Sequence, residues 1–208
     1  MENKKINTND ITALLLAGGR GSRMGHVNKG LQTFRGTAMG SHVLQRLAPQ
    51  VGHMAINANQ NLDAYAAFGV PVWPDDLQGF EGPLAGLETG LRRCSTGYLV
   101  TAPCDSPFVP VDLVTRLAQA LESDGADLAL AETEEAGDDG VMRVQQQPVF
   151  ALVKVSALPH LSAYLAGGGR RMDGWYGSIK VVRVRFNDAA AFRNINTLHE
   201  LQQFEKEE

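Results

Sequence analysis

The sequence predicts an α/β architecture, a mostly parallel sheet with helices on both of its faces. Two observations carry this. Short apolar runs that stop at glycine, proline or asparagine alternate along the chain with stretches of helical spacing. The first of those runs, Ile11–Ala17, is apolar on both sides instead of alternating, with Thr12 its one polar residue, as suits a strand covered on both faces.

The elements follow in chain order. Residues 1–9 are polar and read as a loose leader, which leaves 10–208 as a single domain. Ile11–Ala17 stops at Gly18-Gly19 and is too short for a helix, so it is the central strand. A glycine-rich loop, Gly18–Gly30, comes next. Ser41–Leu47 sets Val43, Leu44 and Leu47 on one helical face. His53–Asn57 is a second strand, ending in the polar cluster Asn57-Ala58-Asn59-Gln60-Asn61. Val70–Trp73 is a third, closed by Pro74-Asp75-Asp76. Leu84, Leu87 and Leu91 have helical spacing just behind Gly82-Pro83, and proline suits a first helical turn. Tyr98–Ala102 is another strand, closed by Pro103-Cys104-Asp105, and Leu113, Leu117 and Leu121 mark the helix after it.

The stretch Glu132–Gln147 is acidic, glycine-bearing and without period, and reads as an exposed loop inside the domain. Val182, Val184 and Phe186 alternate with Arg183 and Arg185, the pattern of a half-exposed strand. Thr197-Leu198-His199-Glu200 is a capping box. It opens a last helix that carries Leu198, Leu201 and Phe204.

Composition narrows the function classes. The chain has 208 residues, 44% hydrophobic and 20% charged, which is ordinary for a globular domain that builds its core without staples. A formal net charge of -4 speaks against broad nucleic-acid binding, so an anionic substrate must be held by local positive groups. Cys94 and Cys104 form no CxxC pair, which speaks against a zinc ribbon or dithiol redox motif. The start MENKKINTNDITALLL lacks the long apolar region of a signal peptide, and no apolar run reaches the ~18 residues of a membrane span. A cytoplasmic protein with neither membrane nor nucleic-acid partner is the expectation.

Four motifs are candidates for chemistry. The first runs from Leu14 to Gly30, LLLAGGRGSRMGHVNKG. Glycines after a strand let backbone N–H groups approach phosphates, and Arg23 and Lys29 supply charge. Its spacing is neither GxxxxGK[ST] nor GxGxxG, and by itself it is also compatible with a flexible turn bearing two solvated cations. The second is Pro103-Cys104-Asp105-Ser106-Pro107 behind a strand. Ligands of parallel sheets bind beyond the carboxyl ends of the strands, where an aspartate can hold Mg²⁺; the bland alternative is a tight turn. The third is Asp75-Asp76 with Gly82-Pro83-Leu84-Ala85-Gly86, where a helix would start near the same edge; taken alone, Asp75 reads more simply as a surface turn residue. The fourth is Phe192-Arg193-Asn194-Ile195-Asn196-Thr197. If extended, it sets both asparagines on one side, and Asn196 could add an oxygen to a metal; taken alone, the segment reads more simply as the entry to a helix. Cys104 has no histidine placed to activate it and reads as a buried, inert thiol.

Taken together, these motifs resemble a known family. The order LAGGxxxRMG, NKG, GPLAG, PCDSP and NINTxxEL is similar to that of the molybdenum cofactor guanylyltransferases, from about Ile11 to Phe204. The resemblance implies a Rossmann-like three-layer α/β/α fold. It also implies transfer of GMP from GTP to molybdenum–molybdopterin with Mg²⁺ as cofactor, giving a guanine dinucleotide cofactor and pyrophosphate. Residue by residue, it implies that Leu16, Ala17, Gly18 and Gly19 hold the nucleotide through the backbone and that Lys29, with Arg23, meets the phosphates. Asn57 and Asp75 match nucleoside-binding positions, and Asp105 the metal-binding aspartate. Asn194 and Asn196 match asparagines on the pterin and metal side.

Arg170 and Arg171, behind Gly167-Gly168-Gly169, are candidates for a pterin phosphate or a partner, and equally for a solvated turn. Handover to and from other cofactor-biosynthesis proteins and apo-molybdoenzymes fits an oxygen-sensitive cargo. Two positions depart from the family pattern: Asn28 stands where aspartate is usual, and Gln147-Pro148 where His-Pro is usual. The alternatives are a cytidylyl or sugar-phosphate transferase on the same fold, and a nucleotide-binding module without turnover.

Overall fold

The computed structural model describes residues 5–17, 28–76, 82–137 and 139–206, with Leu198 by its backbone alone. Gly18, Gly19 and Arg23 lie outside the described residues.

The strands are β1 (Ile11–Leu16), β2 (Thr33–Phe34), β3 (Thr37–Ala38), β4 (His53–Asn57), β5 (Val72–Trp73), β6 (Tyr98–Pro103), β7 (Leu128–Ala136), β8 (Met142–Lys154) and β9 (Val181–Phe186). The α-helices are α1 (Met39–Leu47), α2 (Leu62–Ala66), α3 (Pro83–Arg93), α4 (Leu113–Asp124), α5 (Leu158–Ala166), α6 (Met172–Tyr176) and α7 (Leu198–Lys206). Among the described residues, one sheet runs in the order β5-β4-β1-β6-β8-β7-β9, and β2 and β3 pair as a separate hairpin. Every pairing in the large sheet is parallel except those of β8, which lies antiparallel between β6 and β7. The expected mostly parallel sheet, covered by helices on both faces, is the fold.

The nearly all-apolar β1, in which Thr12 is the one polar residue and shares a hydrogen bond with Thr96 Oγ1 at 2.8 Å, is explained by its two neighbours in depth. Ala13 and Leu15 pack into a core with Val43, Leu47, Leu113 and Leu117 from α1 and α4. Leu14 points the other way, to Leu84, Leu87 and Leu91 of α3 and Leu161 of α5. Successive side chains of a strand alternate between faces, so a strand with helices above and below is apolar at nearly every position.

Helix α3 lies hard against the sheet because it carries glycines there. A Cβ on Gly90 would stand 2.4 Å from Leu14 Cδ2, and one on Gly86 2.2 Å from Asn57 Oδ1. Pro83 occupies its first turn, behind Gly82 at φ 124. This seats the N-terminus of α3 beside the ends of β1 and β4.

The stretch Glu132–Gln147 is not the loop expected of it. Residues 128–136 and 142–154 form an antiparallel ribbon with Glu132 opposite Gln146 and Ala136 opposite Met142. Gly137 N donates to Val141 O at 2.9 Å, and Gly140 takes φ 74. The ribbon runs out past the core, so most of its side chains are exposed on both faces. Without a buried face there is no apolar alternation to read. The register shifts between Leu130 and Glu132, and β7 leaves the packed part after Thr133.

Part of the segment read as a leader is packed. Ile6 is buried in the α1/α4 core, and Thr8–Asp10 form a 3-10 turn whose Thr8 O accepts from Gly52 N at 2.7 Å. Both cysteines are free. Among the described residues, no helix is long and apolar enough to cross a membrane.

A third small core pins the far end of the chain. Ile195 and Leu201 pack with Phe34 and Met39. They bring the segment before α7 back over the end of β6.

Candidate active site

The carboxyl ends of the parallel strands are level. Leu16 pairs with both Asn57 and Pro103, and Asn57 pairs with Trp73. Ala17 N donates to Asn57 O at 2.8 Å and Cys104 N to Leu16 O at 3.1 Å, which closes this rim. Asp75 and Asp105 therefore follow strands that end at one height, where parallel sheets bind ligands.

Lys29 and Asp105 meet on that rim. Lys29 stands in a single 3-10 turn, Lys29–Leu31, and its Nζ donates to Asp105 Oδ2 at 2.9 Å and to Asn196 Oδ1 at 2.6 Å. Asp105 is buried at 7% exposure, so its charge needs a partner. The C-terminal segment is stitched to the same loop by two further bonds. Ile195 N donates to Asp105 O at 2.8 Å, and Ser106 Oγ donates to Asn194 Oδ1 at 2.6 Å. Three distant motifs, at 29, 105–106 and 194–196, thus form one cluster.

Asn57 and Asp75 form a second, adjacent frame. Asn57 Nδ2 donates to Trp73 O at 2.9 Å and to Asp75 Oδ1 at 2.8 Å. Asn59 Nδ2 donates to Asp75 Oδ2 at 2.8 Å, and Asp75 N donates to Asn59 Oδ1 at 2.8 Å. Both amide hydrogens of Asn57 are used inside the protein, and the residue is buried. It ties the ends of β4 and β5 together. Asp75 is half-buried and keeps lone pairs on each oxygen.

Arg170 and Arg171 brace the connection after α5. Arg171 puts its guanidinium on Asp173 at 3.0 and 2.6 Å instead of reaching the Lys29 cluster, and Arg170 Nη1 donates to Leu165 O at 2.9 Å and Gly169 O at 2.7 Å.

Reading the sequence did not single out three contributors. Tyr65 is wholly buried and its hydroxyl donates to Asn28 Oδ1. Burial, with the neighbouring Cys104 thiol, drives the Tyr65 pKa far above its usual value, so the hydroxyl stays a donor. A lone tyrosine in a short alanine-rich helix has no spacing signature, though a buried phenol always implies a partner. Asn59 was visible only as part of a polar cluster. Glu200 was visible as a cap, while its bond from Asn196 N at 2.7 Å was not. Cys104 is buried as expected. Burial first, and the Asp105 carboxylate second, push its thiol up to about 12.

Among the described residues, no group of three or more His, Cys, Asp or Glu side chains could hold a metal. Asp105 and Asn196 are the pair whose oxygens converge on one cationic point, now the Lys29 ammonium. A cleft of about 640 Å³ also opens near α4, lined by Arg35, Arg46, Phe108, Arg116, Phe186 and Arg193 among others. Arg46 donates to Val109 O at 3.3 Å and Arg35 to Phe204 O at 3.0 Å, and Arg116 stacks 4.0 Å over Phe186. These guanidiniums serve as braces for the surrounding loops.

Residues 13–179 match the MobA-like NTP transferase domain. The chain belongs to this family. The MobA-like chain is 58% identical over 200 residues to the molybdenum cofactor guanylyltransferase of Cupriavidus necator, covering 96% of this chain and 98% of that one. It is 56% identical over 198 residues to the protein of the same name from Bordetella petrii, covering 95% and 98%. Its fold is similar to that of molybdopterin-guanine dinucleotide biosynthesis protein A from Archaeoglobus fulgidus, with TM-score 0.74, 23% identity, and 94% and 97% of the two chains covered. The MobA-like chain is a nucleotidyltransferase, and the Lys29–Asp105 cluster stands beyond the carboxyl ends of the parallel strands, where open α/β sheets bind ligands.

Proposed function

We propose that this enzyme transfers GMP from GTP to molybdenum–molybdopterin, with Mg²⁺, and releases pyrophosphate. The observation that carries the site assignment is the convergence of Lys29, Asp105 and Asn196 from three chain segments. Guanine and the pterin acceptor are supported by the names of relatives aligned over nearly the whole chain.

The residues present fit a magnesium ion. Mg²⁺ takes one or two protein oxygens and fills the rest of its shell with phosphate and water. Asp105 and Asn196 aim two oxygens at one positive point, and would hold the ion. When bound, it would neutralise charge on the triphosphate.

The protein's own part is to bring two anions together. The arriving triphosphate draws the Lys29 ammonium onto its oxygens and frees the Asp105 carboxylate. A phosphate oxygen of the acceptor then attacks the α-phosphorus in line. The new P–O bond forms as the bond to the leaving pyrophosphate oxygen breaks. The attacking oxygen is already anionic, so no general base is needed. Positioning and fixed charge supply the acceleration. Arg23 and the backbone of Leu16, Ala17, Gly18 and Gly19 are assigned to the phosphates, the Asn57–Asp75 frame to the nucleoside, and Asn194, Arg170 and Arg171 to the acceptor side. Handover between this enzyme and other cofactor-biosynthesis proteins or apo-molybdoenzymes belongs to the same reading.

Pyrophosphate release with GTP, CTP and ATP, each with and without molybdenum–molybdopterin, tests it. Release with GTP and acceptor alone is expected. Equal release with CTP, or nucleotide binding without release, overturns the assignment.

A further inference from the structure

Lys29 is held at its tip by Asp105 and Asn196, and something must also fix its root. Asn28 O accepts from Leu31 N and Lys29 O from Gln32 N, both at 3.1 Å, so the turn that carries the lysine begins at Asn28. The Asn28 side chain points the other way, where its Oδ1 accepts from the Tyr65 hydroxyl. Tyr65 has no exposed surface and its ring packs edge-on against Phe68 at 5.6 Å. The turn also lies directly on it. A Cβ on Gly30 would stand 2.6 Å from the Tyr65 hydroxyl and 3.1 Å from Cys104 Sγ. The phenol is therefore a buried post, with the root of the lysine turn fastened to its polar end.

We infer that Tyr65 is a positioning residue for nucleotidyl transfer, acting through Asn28 to set where the Lys29 ammonium stands. The same contact gives Asn28 a purpose. The hydroxyl needs only an acceptor oxygen, which a neutral amide supplies. The amide in place of the family's usual aspartate is then compatible with full activity. This inference rests on the reading of Lys29 as the cation on the phosphate side.

The test compares wild type with Tyr65→Phe, which removes the hydroxyl and keeps the ring, and with Asn28→Ala and Asn28→Asp. With GTP and acceptor, Tyr65→Phe and Asn28→Ala should each lower kcat/KM by about tenfold or more. The Tyr65→Phe/Asn28→Ala double variant should be no worse than the poorer single, because one chain of contacts is cut twice. Asn28→Asp keeps an acceptor and should stay near wild type. A role in folding alone would lower the melting temperature of Tyr65→Phe without this pattern.

A second readout needs no turnover. Limited acetylation followed by mass spectrometry should label Lys29 several-fold faster in Tyr65→Phe. Wild type that releases no pyrophosphate with GTP refutes the guanylyl assignment and leaves the acetylation result to decide this one. Unchanged Lys29 labelling, unchanged kinetics in Tyr65→Phe, or losses that multiply in the double variant overturn it.

Discussion

The Lys29 ammonium stands 2.9 Å from the Asp105 carboxylate although the two residues are 76 positions apart. One follows β1 and the other follows β6, neighbouring strands that end level. Their closeness is the condition under which the proposed triphosphate and its cation would reach both residues at once. Asp105→Asn keeps the shape and removes the charge. It is expected to lower kcat at least about a hundredfold, the loss that follows removal of one preorganised electrostatic group. The melting temperature should change little, since Lys29 is partly exposed and can be solvated. Steady-state pyrophosphate release at saturating GTP measures this, and a kcat close to wild type would falsify the placement of Asp105 in the site.

Gly86 tests the frame beside it. Helix propensity alone favours alanine over glycine by about 1 kcal/mol. Against that, a Cβ there would stand 2.2 Å from Asn57 Oδ1 and 3.0 Å from Leu16 Cδ2. Asn57 has little room to yield, because its amide is fixed to Trp73 O and Asp75. Gly86→Ala is expected to destabilise by about 1–3 kcal/mol and to weaken GTP binding together with it. Denaturant midpoints give the sign. A more stable Gly86→Ala would mean that the Asn57 frame gives way easily.

Much of this was legible in the sequence, for physical reasons that differ from element to element. The double-sided burial of β1 writes itself as an apolar run broken only by Thr12, and α3 as leucines at helical spacing behind Gly82-Pro83. The ribbon at 128–154 has no such signature beyond its base, because Glu134, Glu135, Arg143 and Gln145 face water on either side. The short helix α2 fared the same way. At five residues it is too brief for a period, and it is held by Tyr65 rather than by a stripe. Site residues could be listed from the motifs, but not which would touch. That Asn196 reaches Lys29 depends on a contact spanning 167 residues. That Asn57 spends both amide hydrogens internally depends on the lateral register of β4 and β5.

The capping box before α7 links stability to the site. Glu200 Oε2 accepts from Thr197 N at 3.0 Å and from Asn196 N at 2.7 Å, while Glu200 N donates to Thr197 Oγ1 at 3.1 Å. Thr197→Ala breaks only the last of these and should cost about 1 kcal/mol with kcat nearly unchanged. Glu200→Ala should cost a similar amount and also lower kcat several-fold, since it frees the backbone of Asn196. Thermal unfolding and turnover of the two variants separate the effects. Equal kcat in both would show that the Asn196 backbone does not need this anchor.

Cys104 adjoins Asp105 and is buried. Its thiol, ordinarily at 9.0, is pushed up to about 12 by burial and by the neighbouring carboxylate. The nucleophile is the thiolate, so Cys104 should resist iodoacetamide near neutral pH while the half-exposed Cys94 is labelled, as peptide mass spectrometry would show. The same shift fixes a pH dependence. Below the ordinary value both native and unfolded chains hold the proton, and the thiol contributes no slope. Between 9.0 and about 12 the unfolded chain gives it up first, so stability falls as pH rises. Cys104→Ala should flatten that decline by part, the remainder arising from Tyr65, Tyr98 and Tyr176, whose burial raises them likewise. An identical decline with and without the thiol would mean that Cys104 titrates normally in the folded protein.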